Sequence, residues 1–309
     1  MSRKPGLLFA ATVAAFAFCP SRVSAQAFTL PQGICAVTLA WQYVDNTGHR
    51  LSDGFLRRRV QSVTTSVLLE VEYGITDRLS ASAGIPYVFA KYTGVMPAPS
   101  ELPVDTCGCW HSGFQDFAFT ARYRLGTNSV AFTPHARYVL PSHDYRYRGE
   151  ATVGRNLREL QVGASAGARL PGFLSHASLQ ASFTYSFVEE VAPDVSVDRS
   201  NGVVDLGYAL TRRLYASATA NWQRTHGGLR FGSITGKPFP QPGEFNTPER
   251  FAQRDRLGRV NYWQVGGGLS YDVGPADVFA SFSSYVWGRD AHAGQAYTVG
   301  ATWYFDFGD

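Results

Sequence analysis

Between Gln61 and Tyr73 the chain alternates. Val63, Thr65, Val67, Leu69, Val71 and Tyr73 fall on one face, and Ser62, Thr64, Ser66, Glu70 and Glu72 on the other. A period of two is the mark of a β-strand with chemically different faces. The same alternation recurs in Ala36 to Val44, Leu79 to Phe89, Asp116 to Leu125, Val130 to Leu140, Leu160 to Leu170 and Ala177 to Phe187. It continues in Gly202 to Leu210, Leu214 to Arg224, Tyr262 to Val273, Asp277 to Trp287 and Ala296 to Phe307. That predicts an all-β chain of about twelve strands.

The connections sort by length. Short ones (GITDR, GTNS, PGFLSH, TRR, GPA) alternate with longer ones, the brief link before the last strand excepted. A soluble sandwich has no reason for such sorting, whereas outer-membrane barrels have short periplasmic turns and longer extracellular loops. Tyr73, Tyr123, Tyr208 and Tyr271 stand beside short turns, as an aromatic girdle at one membrane interface would. Trp41, Tyr87, Tyr138, Tyr185, Trp222 and Trp263 supply the other. The expected architecture is a closed antiparallel transmembrane β-barrel with its apolar face toward lipid and its polar face toward the lumen.

Ahead of the first strand, Arg3 and Lys4 precede an apolar stretch from Gly6 to Phe18, with small residues at Val23-Ser24-Ala25. This is the pattern of a secretory signal peptide over residues 1–25, cleaved near Ala25, which leaves 26–309 as one barrel domain in the cell outer membrane. The formal charge of +4 owes much to Arg3, Lys4 and Arg22; without them 25 basic residues face 24 acidic ones, which gives no reason to expect nucleic acid as a partner. The expected surroundings are outer-membrane lipid and, during biogenesis, the barrel-assembly machinery. Cys107 and Cys109 suggest a loop-bracing disulfide; two thiols with His111 make a weak metal site, so no metal or cofactor is expected.

The stretch YGITDRLSASAGIPYV resembles the signature of the outer-membrane family named for the phenol meta-degradation pathway, with its Tyr-Gly strand end, Thr-Asp-Arg turn and Ile-Pro-Tyr strand end. GFQDFAFTARYRL, YVLPSHDYRYRGEATVGRNLRELQVGASAG and LGYALTRRLYASATANWQRTHGG are similar to later parts of that pattern. Phe114-Gln115 and Ser142-His143 depart from it, and the chain ends two residues beyond Phe307. The resemblance implies a barrel that moves small hydrophobic, often aromatic, compounds.

Strand parity points Glu70, Glu72, Asp116, Arg122, Arg124, His135, Arg137, Arg169 and Asp205 into the lumen. Mixed acids and bases there make a constricted polar channel, or pair with one another and plug it. Long loops over Tyr92 to Gly113 and Arg224 to Arg259 carry aromatics that either form an apolar entrance or pack on each other. The expected function is passive uptake of small solutes, with no enzyme activity. A structural or adhesive barrel is the main alternative. An outer-membrane lipid hydrolase needs a histidine beside a serine on the lipid-facing wall; Ser200-Asn201 has none close in sequence, and His143 and His226 lie in loops.

Overall fold

The computed structural model describes residues 27–58, 61–94, 108–126, 129–148, 151–172, 175–230, 244, 245, 247, 250 and 253–308. The leader, Cys107, Phe231 and Phe239 lie outside these. The strands are β1 (Ile34–Arg50), β2 (Leu56–Arg57), β3 (Ser62–Gly74), β4 (Leu79–Tyr92), β5 (His111–Phe114), β6 (Asp116–Tyr123), β7 (Leu125–Gly126), β8 (Val130–Pro141) and β9 (Glu159–Arg169). They continue as β10 (Ala177–Val188), β11 (Arg199–Ala209), β12 (Leu214–Thr225), β13 (Asn261–Asp272), β14 (Ala276–Arg289) and β15 (Ala291–Asp306). A short helix, α1 (Arg254–Leu257), lies before β13.

Twelve of these strands are the staves of a barrel; β2, β5 and β7 are short pieces attached to them. Each stave pairs antiparallel with its sequence neighbours, and β15 returns to pair with β1 from Ile34↔Asp306 to Arg50↔Ala291. Closure leaves no stave with an unpaired edge, the condition for a sheet to stand in hydrocarbon. Every strand predicted from alternation is present. The differences lie at the ends. β1 and β15 run some way past their apolar alternation, because Asp45–Arg50 and Ala291–Gln295 still pair although their side chains are polar or small. The fourth predicted strand is broken at Arg124 and preceded by β5, with Gln115 donating its N–H to the Pro86 carbonyl at 3.0 Å.

Burial is inside out relative to a soluble domain. Leu39, Trp41, Leu69, Phe119, Leu206 and Val299 are exposed, while Ser80, Thr133 and Ser186 are fully buried. Exposed apolar positions follow one strand parity around the barrel, the face that lipid would cover. Tyr73, Tyr123, Tyr208 and Tyr271 all lie on that face at the short-turn end.

The two most similar turns owe their shape to one hydroxyl each. Thr76 Oγ1 accepts from the N–H of Arg78 and Leu79 at 3.2 and 3.0 Å, and Thr211 Oγ1 does the same for Arg213 and Leu214 at 3.2 and 2.9 Å. The following Leu carbonyl closes both turns, accepting from Ile75 and Leu210. A threonine that caps its own turn explains why the Thr-x-Arg-Leu string repeats.

Candidate functional site: the barrel lumen

The inner wall carries a strap. Residues 27–33, ahead of β1, leave the β1–β3 side and reach the wall built by β8, β9 and β10. There the Thr133 hydroxyl donates to the Ala27 carbonyl at 2.6 Å, and the Ala27 N–H donates to Gln180 Oε1 at 3.2 Å. The Arg169 guanidinium lies 5.6 Å from the centre of the Phe28 ring. Gly167 makes the seat: a Cβ there would stand 2.6 Å from Ala27 Cβ and 3.1 Å from the Phe28 ring. On the near side, Thr29 Oγ1 donates to the Asp77 carbonyl and the Gln32 N–H to Asp77 Oδ1, each at 3.2 Å. Five strand-to-strand steps separate β1 from β9, so the segment spans the lumen near its short-turn end.

Above the strap, Glu72 pairs with Arg122, both mostly buried. The two residues are two staves apart. Arg122 crosses β4 at the small residues Ser80 and Ser82, in register with it and with Glu72 respectively. Arg124 serves the turn instead, its Nη2 donating to the Asp77 carbonyl at 3.0 Å. His135 Nε2 is 3.0 Å from the Thr184 hydroxyl, and Asp205 accepts from Thr219 at 2.7 Å. Glu70 lies opposite Thr38 and Gly84. Arg137 lies between Thr120 and Gln161, on the inward parity yet exposed, which marks that stretch of wall as water-lined.

A second layer narrows the long-loop end. Tyr145, in the segment 142–158, hydrogen-bonds through its hydroxyl to Asp116 and accepts the Asn156 N–H at 2.7 Å. Burial and the facing Asp116 carboxylate push the Tyr145 hydroxyl well above the usual phenol range. Glu159 binds both Arg155, at 2.9 Å, and Arg199. A cavity of about 470 Å³ opens between this segment and Trp110–Gly113. Phe245 packs with Val195, Val197, Leu229 and Leu257 in a small core, so this part of the long loops packs together instead of lining an entrance. Cys109 is disulfide-bonded and Cys35 is free.

No protein-family model matches the chain, and no curated protein matches it. Solved structures do. The COG4313 outer membrane channel from Pseudomonas putida F1 superposes with a TM-score of 0.68 at 13% identity, over 90% of this chain and 98% of that one. The translocator domain of the autotransporter NalP from Neisseria meningitidis reaches 0.50 at 12% identity, over 96% and 97%. The chain has the fold of these outer-membrane barrels.

Sequence parity reached the charged residues of the wall. It did not reach Thr133, Gln180, Gly167 or Asp77, which hold the strap. One signal was present: the first Thr-x-Arg-Leu turn carries Asp77 where the second carries Arg212, and a carboxylate can receive the Gln32 N–H whereas a guanidinium cannot.

Proposed function

We propose that the protein is an outer-membrane channel for passive uptake of small hydrophobic or aromatic compounds. Its leader is removed near Ala25, and the lumen residues Glu70, Glu72, Asp116, Arg122, Arg124, His135, Arg137, Arg169 and Asp205 set its throat. The observation that carries this reading is the strap: a polar lumen, narrowed by a segment held through a few hydrogen bonds rather than by a packed core, suits a restricted conduit better than an inert staple. The likeness to an outer membrane channel supports the class of function, and the resemblance to the phenol meta-degradation family supports the cargo. The cation over Phe28 adds a flat apolar surface beside charge, a fitting contact for an aromatic solute.

A structural barrel without transport is the second reading, favoured by the inward segment that Tyr145 holds against Asp116 at the long-loop end of the lumen. Planar-bilayer conductance and uptake of phenol by loaded vesicles separate the two. Conductance that changes in Glu72→Ala or Arg122→Ala, with phenol entering faster than into protein-free vesicles, is expected. No conductance and no excess flux, even after removal of residues 27–32, would overturn the channel.

A further inference from the structure

On the outward face of the barrel, at its long-loop end, the apolar pattern is interrupted. In β11 the outward residues Val204, Leu206 and Tyr208 are exposed and apolar or aromatic; the same parity places Ser200 on that face, where it is only 5% exposed, in contact with the His226 ring. Ser200 is in register with Tyr185 of β10 on one side and Arg224 of β12 on the other, so the three form one cross-strand row. His226 follows Arg224 by two residues and keeps its parity. Its N–H donates to the Asp198 carbonyl at 2.6 Å, and its ring stacks on Tyr185 with centroids 5.5 Å apart and planes at 25°. So held, its Nε2 lies 2.6 Å from the Ser200 hydroxyl. A second contact fixes the stacking partner: Tyr185 donates its hydroxyl to Asp198 Oδ2 at 3.3 Å, while Asp198 Oδ1 accepts the Val188 N–H at 2.8 Å.

We propose that Ser200 and His226 are a nucleophile and general base acting on acyl esters presented at the outer face of the barrel. Three observations combine here. The hydroxyl and imidazole are already at proton-transfer distance. Tyr185 and Asp198 orient the ring, as positioning residues. And the pair lies at the height where lipid esters lie: Trp222 and Trp263 are in register one outward position below Ser200, through Gly202↔Trp222, and tryptophans collect at the boundary between acyl chains and headgroups. Arg224, exposed beside Ser200, brings positive charge to the oxyanion or to an anionic headgroup.

The chemistry closes without an added reagent. Ser200 Oγ bonds to the ester carbonyl carbon as its proton passes to His226 Nε2. The tetrahedral adduct collapses, the C–O bond to the alcohol breaks, and that oxygen takes the proton from His226. Water then adds to the acyl-serine, giving its proton to the imidazole. The ester bond to Ser200 breaks, the proton returns to Oγ, and a fatty carboxylate leaves with one proton released to solvent. This site is separate from the lumen, so it stands or falls independently of transport.

The test uses the full barrel in detergent micelles and in phosphatidylethanolamine vesicles, with folding checked by heat-modifiable migration. A fluorophosphonate probe, mapped by mass spectrometry, and release of fatty acid from the vesicles are the two readouts. The probe is expected on Ser200, with hydrolysis abolished in Ser200→Ala. Removing the base in His226→Ala should lower the rate by about 10²–10⁴-fold. His226→Gln keeps a side chain able to hydrogen-bond Ser200 but cannot carry the proton, so it should match His226→Ala in rate while migrating as folded wild type. Folded wild type that neither takes the probe at Ser200 nor releases fatty acid would overturn the proposal. So would an unchanged rate in His226→Gln; the contact would then be only a latch on the loop.

Discussion

The Thr133 hydroxyl hydrogen-bonds the carbonyl of Ala27, a residue 106 positions earlier in the chain, at 2.6 Å, and through this bond the N-terminal strap is fixed to the far wall of the barrel. Thr133 is fully buried, so Thr133→Val leaves the Ala27 carbonyl without this donor and costs about 1–3 kcal/mol of strap docking. Single-channel conductance is expected to rise in Thr133→Val and further in Thr133→Val/Gln180→Ala. Equal conductance in all three proteins would show that the strap does not limit the pore.

The Glu72–Arg122 pair bridges two staves across β4. Breaking a mostly buried pair from one side strands a charge, at a cost of about 3–5 kcal/mol, whereas replacing both partners costs less. Glu72→Gln should therefore lower the denaturant midpoint of the folded barrel more than Glu72→Gln/Arg122→Gln does. The single variant should also shift ion selectivity toward anions, measured as a reversal potential in a salt gradient.

Tyr145 joins Asp116 to the Asn156 backbone and so closes the inward segment. Its hydroxyl pKa is raised by burial above the free value of about 10. A raised value means that the contribution is complete below the free pKa and fades as pH climbs above it toward the folded one. The protection factor of the Asn156 amide, its exchange relative to the unstructured rate at the same pH, is expected to be constant through neutral pH and to fall in strong alkali. Tyr145→Phe should show the lowered protection already at pH 7, with a loss of about 1–3 kcal/mol.

Inside the barrel the Tyr215 hydroxyl reaches across β11 to Ser178 at 2.5 Å, and Gly207 is what it passes over. A methyl group there would occupy the space of the phenol, so Gly207→Ala should destabilise the barrel by about 1–3 kcal/mol in urea unfolding. Tyr215→Ala added to it should recover part of the loss. If the double variant is no more stable than Gly207→Ala, the close approach is not the cause.

The staves were legible because alternation is local. Each of Val67, Leu69 and Val71 announces its face without reference to any other strand, and the exposure of all three agrees. Partners were less legible. Parity placed Glu72, Arg122 and Arg124 on the inner wall, but which arginine meets Glu72 depends on the register of β4 between them. The small Ser80 and Ser82 admit Arg122, and the break after Tyr123 turns Arg124 toward Asp77. The strap and the Ser200–His226 contact were beyond sequence reasoning for one reason. Each is a contact between side or main chains far apart in sequence, one end lying beyond the terminus of a strand, and alternation within a strand says nothing about such partners.

The strap also dictates an order of construction. Ala27 binds Thr133 and Gln180, residues 106 and 153 positions downstream, so the earliest described part of the polypeptide has no seat until the staves carrying them stand together. The first described residues are thus the fold's closing move: the hoop must be raised before its threshold can be laid.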